Sequence, residues 1–285
     1  MKSMKREAIW YLLPGLAGTI LFYVLPFVGG LYYAMRSDTF PPKFAGFANI
    51  AAVLQNAVFR TALWNTIAFS LACAPVAVLL ALVLACIFRS ASAASRRIRA
   101  AMLVSYILPT AATISVWKIL FGYNSAAAAL VSHFANQRID LLQSEWQMLP
   151  IIFLYIWRNV GFFSVLLIAA MQLIHQELYD FAEMEGASAL QKHWHVTMPL
   201  ISPTIIIVFI FSWTGTLKIF KEVYALSGGY PAMNVYTLQH YINNHLAKLN
   251  YATVTSASYI FAGILALVFG IIYRLENAAH DFTAN

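Results

Sequence analysis

The feature that most constrains this chain is a series of six long apolar runs, at about residues 8–35, 62–88, 100–121, 148–174, 200–225 and 251–275. Crossing the hydrocarbon core of a bilayer takes about 20 mainly apolar residues of helix, and each run reaches that length. Only 10% of the 285 residues are charged, where a soluble domain averages about 25%. So few charges cannot dress a water-facing surface. The predicted class is an all-α, polytopic membrane protein: one transmembrane domain over 1–285 with six membrane helices. Pro14, Pro26, Pro75, Pro109, Pro150 and Pro203 fall inside the runs. Membrane helices tolerate proline where neighbours or water satisfy the freed carbonyls, so the prolines predict kinks within a packed bundle. The opening MKSMKRE and the apolar stretch from Ala8 to Met35 are too long for a signal-peptide core and end in no small-x-small cleavage site. They read as an uncleaved first span.

An even number of spans puts both termini on one side. On that side stand Lys2, Lys5, Arg6, Arg89, Arg96, Arg97, Arg99, Lys192 and Arg274, against Arg36, Lys43, Arg60, Arg138 and Lys248 on the other. The short RSASAASRRIR loop decides the orientation, because basic residues stay inside. The termini and the 175–199 loop are therefore expected in the cytoplasm, and the protein in the cell (inner or plasma) membrane. The outside loops, near 36–61, 122–147 and 226–250, have room for short amphipathic helices. The net charge of +7 is scattered at helix ends and forms no basic face with interleaved aromatics, which excludes a nucleic-acid partner. Cys73 and Cys86 share one run at a helical separation of about 20 Å, too far to pair. No CxxC or HExxH is present for a metal, and no Gly-rich phosphate loop for ATP.

Between the fourth and fifth runs lies a polar segment, HQELYDFAEMEGASALQKHWHVTMP. It reads as two short helices about Gly186, which permits a tight turn. Asp180, Glu183 and Glu185 crowd its first half; Lys192, His193, Trp194 and His195 fill its second. Its plainest role is to join two helices. Its apolar Phe181, Met184, Leu190 and Trp194 nonetheless ask for a surface to cover them.

This segment resembles the EAA motif of permeases of binding-protein-dependent ABC importers. Asp180, Phe181 and Ala182 stand at the E-A-A positions, Glu185, Gly186 and Ala187 at D-G-A, and Thr197, Met198 and Pro199 close the motif. The spacing is kept. Asp180, Phe181 and Glu185 depart from the usual residues, and His193 stands where an aromatic is usual. AGFANIAAVLQNAVFRTALWNTIAF, IWRNVGFFSVLLIAAMQLI and LKIFKEVYALSGGYP are similar to further signatures of the carbohydrate branch. The resemblance therefore covers most of the chain from residue 46 onward and is to the compact, MalF/UgpA-like subunit of the type I fold.

The resemblance implies a second homologous permease subunit, an ABC ATPase dimer that binds the ATP and Mg, an extracytoplasmic solute-binding protein, and a sugar or oligosaccharide as solute. The chain itself would then hold no cofactor and be no enzyme. Asp180, Phe181, Ala182, Met184, Glu185, Gly186, Ala187 and Trp194 would couple to the ATPase. Matching positions of the solute path are Trp157, Arg158, Val160, Gly161 and Ser164 on the fourth span, and Phe211, Thr214, Gly215 and Lys218 on the fifth. Sugar sites use aromatic faces for the ring and polar side chains for hydroxyls.

Arg158 is the charge deepest in a span, which makes it a functional candidate; its other reading is a purely structural pairing with a carboxylate or carbonyls of the partner subunit. Lys118 reads as a snorkelling side chain, and Lys218, Lys221 and Glu222 as an ion-pair cluster at the outer gate. Gly161 and Gly215 equally suit close helix packing. Two other classes compete. A secondary carrier or channel would leave the EAA-like loop unexplained. An intramembrane serine protease would need a G-x-S-x-G-like motif, which is absent. Within the importers, another solute such as glycerol-phosphate stays open.

Overall fold

The computed structural model describes residues 2–37, 41–90, 92–135, 140–143 and 145–284. Arg138, assigned above to an outside loop, lies outside these. The regular secondary structure of the described residues is helical, apart from one isolated antiparallel bridge between Arg36 and Phe44. Its helices are α1 (Lys2–Thr19), α2 (Leu25–Ala34), α3 (Ala48–Gln55), α4 (Ala57–Phe88), α5 (Ala93–Ile107), α6 (Thr110–Phe121) and α7 (Ala126–Ala135). There follow α8 (Met148–Gln172), α9 (Gln176–Met184), α10 (Ala189–Lys192), α11 (Met198–Leu217), α12 (Phe220–Ser227), α13 (Leu238–Ala247) and α14 (Tyr251–Ala284). Among the described residues, five helical stretches are long and apolar enough to cross a membrane. Counting the α5–α6 pair as one bent span makes six.

That pair is where the structure departs from the expected third span over 100–121. Leu108 has ψ 136 and Pro109 opens the next helix, and the two helices meet at 95°. Proline's ring crowds the residue before it out of the helical region, so the break falls at Leu108. Pro14, Pro75 and Pro203 lie within helices that continue past them.

The chain forms two compact units, Met1–Arg60 with Tyr241–Asn285, and Thr61–His240. In the first, a π-helical turn at Ile20–Val24 joins α1 to α2. From Tyr11 onward the large apolar side chains of this segment are exposed, as a helix facing lipid requires. α14 packs on α2 through the Phe27 and Tyr259 rings, 5.0 Å apart, and through a hydrogen bond from the Tyr259 hydroxyl to the Phe27 carbonyl. Asn49 of α3 donates to the carbonyls of Ala34 and Arg36, fixing the turn after α2.

In the second unit the core lies among α4, α8 and α11. The α4 face is made of small residues, with Cys73, Ala74, Ala77, Ala81 and Ala85 fully buried. Small side chains let backbones approach, the usual basis of helix association in lipid. Opposite stand Ile151, Tyr155, Phe163, Leu167 and Ile168 of α8 and Ile201 and Val208 of α11. Some of the buried polar groups pair across helices: Thr216 donates to Ser70 (2.9 Å) and the Tyr155 hydroxyl to the Ser212 carbonyl (2.6 Å). α5 lies so close to α8 that a Cβ on Gly161 would stand 2.1 Å from the Met102 carbonyl oxygen.

Candidate solute cavity and coupling surface

α11 ends at Leu217 with Lys218 as its C-cap, and α12 starts again at Phe220. This interruption sets Lys218, Lys221 and Glu222 beside the middle of α8 and the α5–α6 break. Together they wall a cavity of about 480 Å³. α8 contributes Leu154, Tyr155, Arg158 and Asn159; the break contributes Tyr106 and Thr110; Gly215 and Gln239 complete the polar lining.

Arg158 organises this region. Its Nη1 donates to Thr110 Oγ1 at 3.0 Å and faces Glu222 Oε1 at 3.5 Å. The Ser105 hydroxyl reaches the Arg158 carbonyl at 3.4 Å. One residue of α8 thus holds the end of α5, the start of α6 and α12. The two charged side chains are largely buried, at 18% and 14% exposure, where a lone charge is costly and a pair is tolerated. The expected cluster of Lys218, Lys221 and Glu222 is instead an Arg158–Glu222 pair, because the helix breaks between the two lysines and α12 turns Glu222 toward α8.

Of the path residues read from sequence, the structure brings Arg158, Gly215 and Lys218 to the cavity. Trp157 packs on Trp117, ring centroids 5.0 Å apart, beside it. Gly161 is held against Met102, where a Cβ would not fit. Ser164 is fully buried and donates to the Val160 carbonyl within its own helix. Thr214 does the same to Ile210, and Phe211 is half exposed. Val160, Gly161, Ser164, Phe211 and Thr214 do not line the cavity. Tyr106, Thr110, Asn159, Phe220 and Gln239 do, without having been singled out.

The second region is the 175–199 loop. α9 ends in a Schellman turn: Ala187 N–H donates to the Ala182 carbonyl and Gly186 N–H to that of Glu183, both at 2.9 Å, with Gly186 at φ +82. Glycine takes that left-handed conformation without a Cβ penalty. Ser188 then caps α10 reciprocally with Gln191, and Lys192 pairs with Glu183 at 2.9 Å across the turn. Asp180 accepts from Gln176 (3.0 Å) on the exposed side of α9. Tyr179 anchors the loop from below, its hydroxyl 2.9 Å from the buried Thr197 Oγ1 and its ring under the Arg89 guanidinium at 5.9 Å.

Of the coupling candidates, Ala182, Gly186 and Ala187 belong to this frame, and the large apolar ones are left exposed. Met184 is 80% exposed, Phe181 61% and Trp194 58%. Phe181, Ala182, Glu185 and Ala187 line a mainly apolar hollow of about 450 Å³ with Leu178, Val196 and Pro199. Trp194 and Met184 flank it without lining it.

Comparison with known proteins places both regions in context. The family described as binding-protein-dependent transport system inner membrane component matches residues 47–281. The trehalose/maltose transport system permease protein MalF of Thermococcus litoralis is 27% identical over 284 residues, 95% of each chain. The sn-glycerol-3-phosphate transport system permease protein UgpA of Agrobacterium fabrum is 27% identical over 276 residues, 94% of each chain. Among solved structures, a bacterial alginate ABC transporter in complex with an alginate pentasaccharide-bound periplasmic protein superposes with a TM-score of 0.81. It is 21% identical, with 99% of this chain and 97% of that chain covered.

Proposed function

This chain belongs to the family of binding-protein-dependent transport system inner membrane components, and from that premise we propose how it works as the multi-pass permease subunit of an ABC importer. It forms half of a path for sugars or oligosaccharides, completed by a second, homologous permease subunit. A solute-binding protein delivers the solute outside. The termini and the 175–199 loop face the cytoplasm, where a separate ATPase dimer binds ATP and Mg. The relative named for trehalose/maltose transport supports the solute class, and the one named for sn-glycerol-3-phosphate transport fits the other solute named above.

The observation that carries the coupling role is the loop itself. Its frame is stiffened by the Schellman turn, the capping box and the Lys192–Glu183 pair, yet it leaves Phe181, Met184 and Trp194 uncovered. A rigid element with apolar side chains facing out is built to be gripped. Phe181, Ala182, Glu185 and Ala187 form the seat; Met184 and Trp194 pack at its rim; Asp180 and Glu185 supply the polar contacts; Gly186 sets the angle. When the ATPase dimer closes on ATP, the gripped loop moves as a body. The helices it continues into then swing between inward-open and outward-open forms, a rigid-body, two-state transition.

Pull-down from gently solubilised membranes tests this. The wild type is expected to bring down an ATPase and a second permease. Gly186→Pro and the Asp180→Arg, Glu185→Arg double variant are expected to lose the ATPase alone. Co-purification of no ATPase, with transport intact in the variants, would sink the reading.

A further inference from the structure

The cavity beside α8 has a charge imbalance that a path for neutral sugars does not need. Arg158, Lys218 and Lys221 line it with one carboxylate, Glu222. Three positive charges against one negative leave +2. Glu222 is engaged by Arg158, and among the described residues no carboxylate comes within 4.0 Å of Lys218 or Lys221. Such cations at the wall of a membrane-embedded cavity hold a field that attracts anions and concentrates them at the site.

The details suit a moving anion. Lysine is a compact charge on a flexible stem, able to follow a passing group without fixing it in one geometry. Arg158 meets Glu222 at 3.5 Å, longer than the roughly 2.7–2.9 Å of a strong charge-assisted bond, so an incoming anion can compete for the guanidinium. The rings of Tyr106 and Phe220 and the amides of Asn159 and Gln239 line the same space. They offer apolar faces and hydroxyl partners to a sugar ring.

We propose that this cavity passes a saccharide bearing an anionic group, a carboxylate or a phosphate, with Lys218 and Lys221 holding that group and Arg158 joining them as it leaves Glu222. This rests on the reading of the chain as a sugar permease and narrows its solute.

The test is uptake into proteoliposomes holding the complete importer with its binding protein, using three probes: digalacturonate, glucose 1-phosphate and maltose. Uptake of at least one charged probe is expected, and which one tells carboxylate from phosphate. Lys218→Gln with Lys221→Gln is expected to lower that uptake about tenfold or more, the effect of losing roughly 1.4 kcal/mol of contact. Lys218→Arg with Lys221→Arg is expected to keep it within about threefold, since charge is retained. Both lysines are exposed, and the amount of assembled complex is measured for each variant. Uptake of maltose alone, or charged-probe uptake indifferent to the glutamines, overturns the inference and leaves the permease reading intact. Uptake of no probe with the ATPase still bound overturns it together with the sugar class. A purified complex without an ATPase brings down the permease reading, and this inference with it.

Discussion

The 175–199 loop and the cavity around Arg158 place their candidate functional side chains by different means. In the loop, the hydrogen bonds and ion pair that fix its turn join residues no more than nine apart, from Ser188–Gln191 to Glu183–Lys192. At the cavity, Arg158 reaches Thr110 and Glu222, 48 and 64 residues away in sequence. A locally built element keeps its shape when it moves and can be carried as a unit. A cavity assembled from distant segments changes shape whenever those segments shift. The first property suits a handle, the second a gated path.

The sharpest way to break this comparison is a pair of glycine substitutions. Gly161→Ala forces a Cβ to within 2.1 Å of the Met102 carbonyl oxygen, and is expected to cost about 3 kcal/mol or more by overpacking. Gly186→Ala meets no atom within 4 Å and pays only for its φ of +82, about 1 kcal/mol. Thermal unfolding of the solubilised protein reads both. Equal losses would show that the loop is not independent of the bundle.

Arg158→Gln comes next. It leaves the largely buried Glu222 without its partner, at an expected cost of about 2 kcal/mol. Adding Glu222→Gln should recover most of it, and a double-mutant cycle measures the coupling. No recovery would mean that the arginine acts only through Thr110 and the helix break.

A pH scan sharpens the contrast further. His240 is fully buried among the rings of Phe220, Tyr224 and Tyr236, with Nδ1 2.7 Å from Thr237 Oγ1. Burial pushes its pKa down from 6.5 to about 4, against a smaller opposite pull from the Gly228 backbone. The unfolded chain then takes up a proton below about pH 6.5 and the folded one does not until about pH 4. Stability is full above the upper value and falls as pH drops through that window, at up to roughly 1.4 kcal/mol per unit. His240→Phe should flatten that part of the profile. A profile unchanged by the substitution would remove His240 as its cause.

The smallest effect belongs to Ser188→Ala. Losing the capping box around Gln191 is expected to cost about 1 kcal/mol, seen as faster amide exchange confined to residues 186–197. Spread of that effect into α8 would again break the separation.

What the sequence could disclose follows from the same contrast. The turn at Gly186, the two short helices and the exposed apolar residues are properties of one contiguous stretch, and all were legible there. So were the apolar runs. Pro109 was visible, but Pro75 and Pro203 look the same in one dimension and sit in unbroken helices. What singles out Pro109 is tertiary: α6 turns away where Thr110 meets Arg158. At the cavity, Arg158 and Lys218 stood out as rare charges in apolar runs. Thr110, Asn159 and Gln239 did not, because ordinary polar residues gain meaning only from neighbours brought up by the fold. On α8 the cavity takes Leu154, Tyr155, Arg158 and Asn159, toward the helix N-terminus from the expected Val160, Gly161 and Ser164.

The bare contact of Gly161 with the Met102 backbone has a kinematic consequence. With no side chain between α8 and the Met102 carbonyl of α5 at that point, α5 and α8 are expected to move together as a single spar. α9 follows α8 after Leu173, Ile174 and His175, which puts the handle at one end of that spar. The nearest joint along α5 is the 95° elbow at Leu108–Pro109. A pull on the loop would therefore reach α6 as rotation about the elbow, and the bracket of Arg158 on Thr110 sets how far that rotation runs before the cavity changes shape.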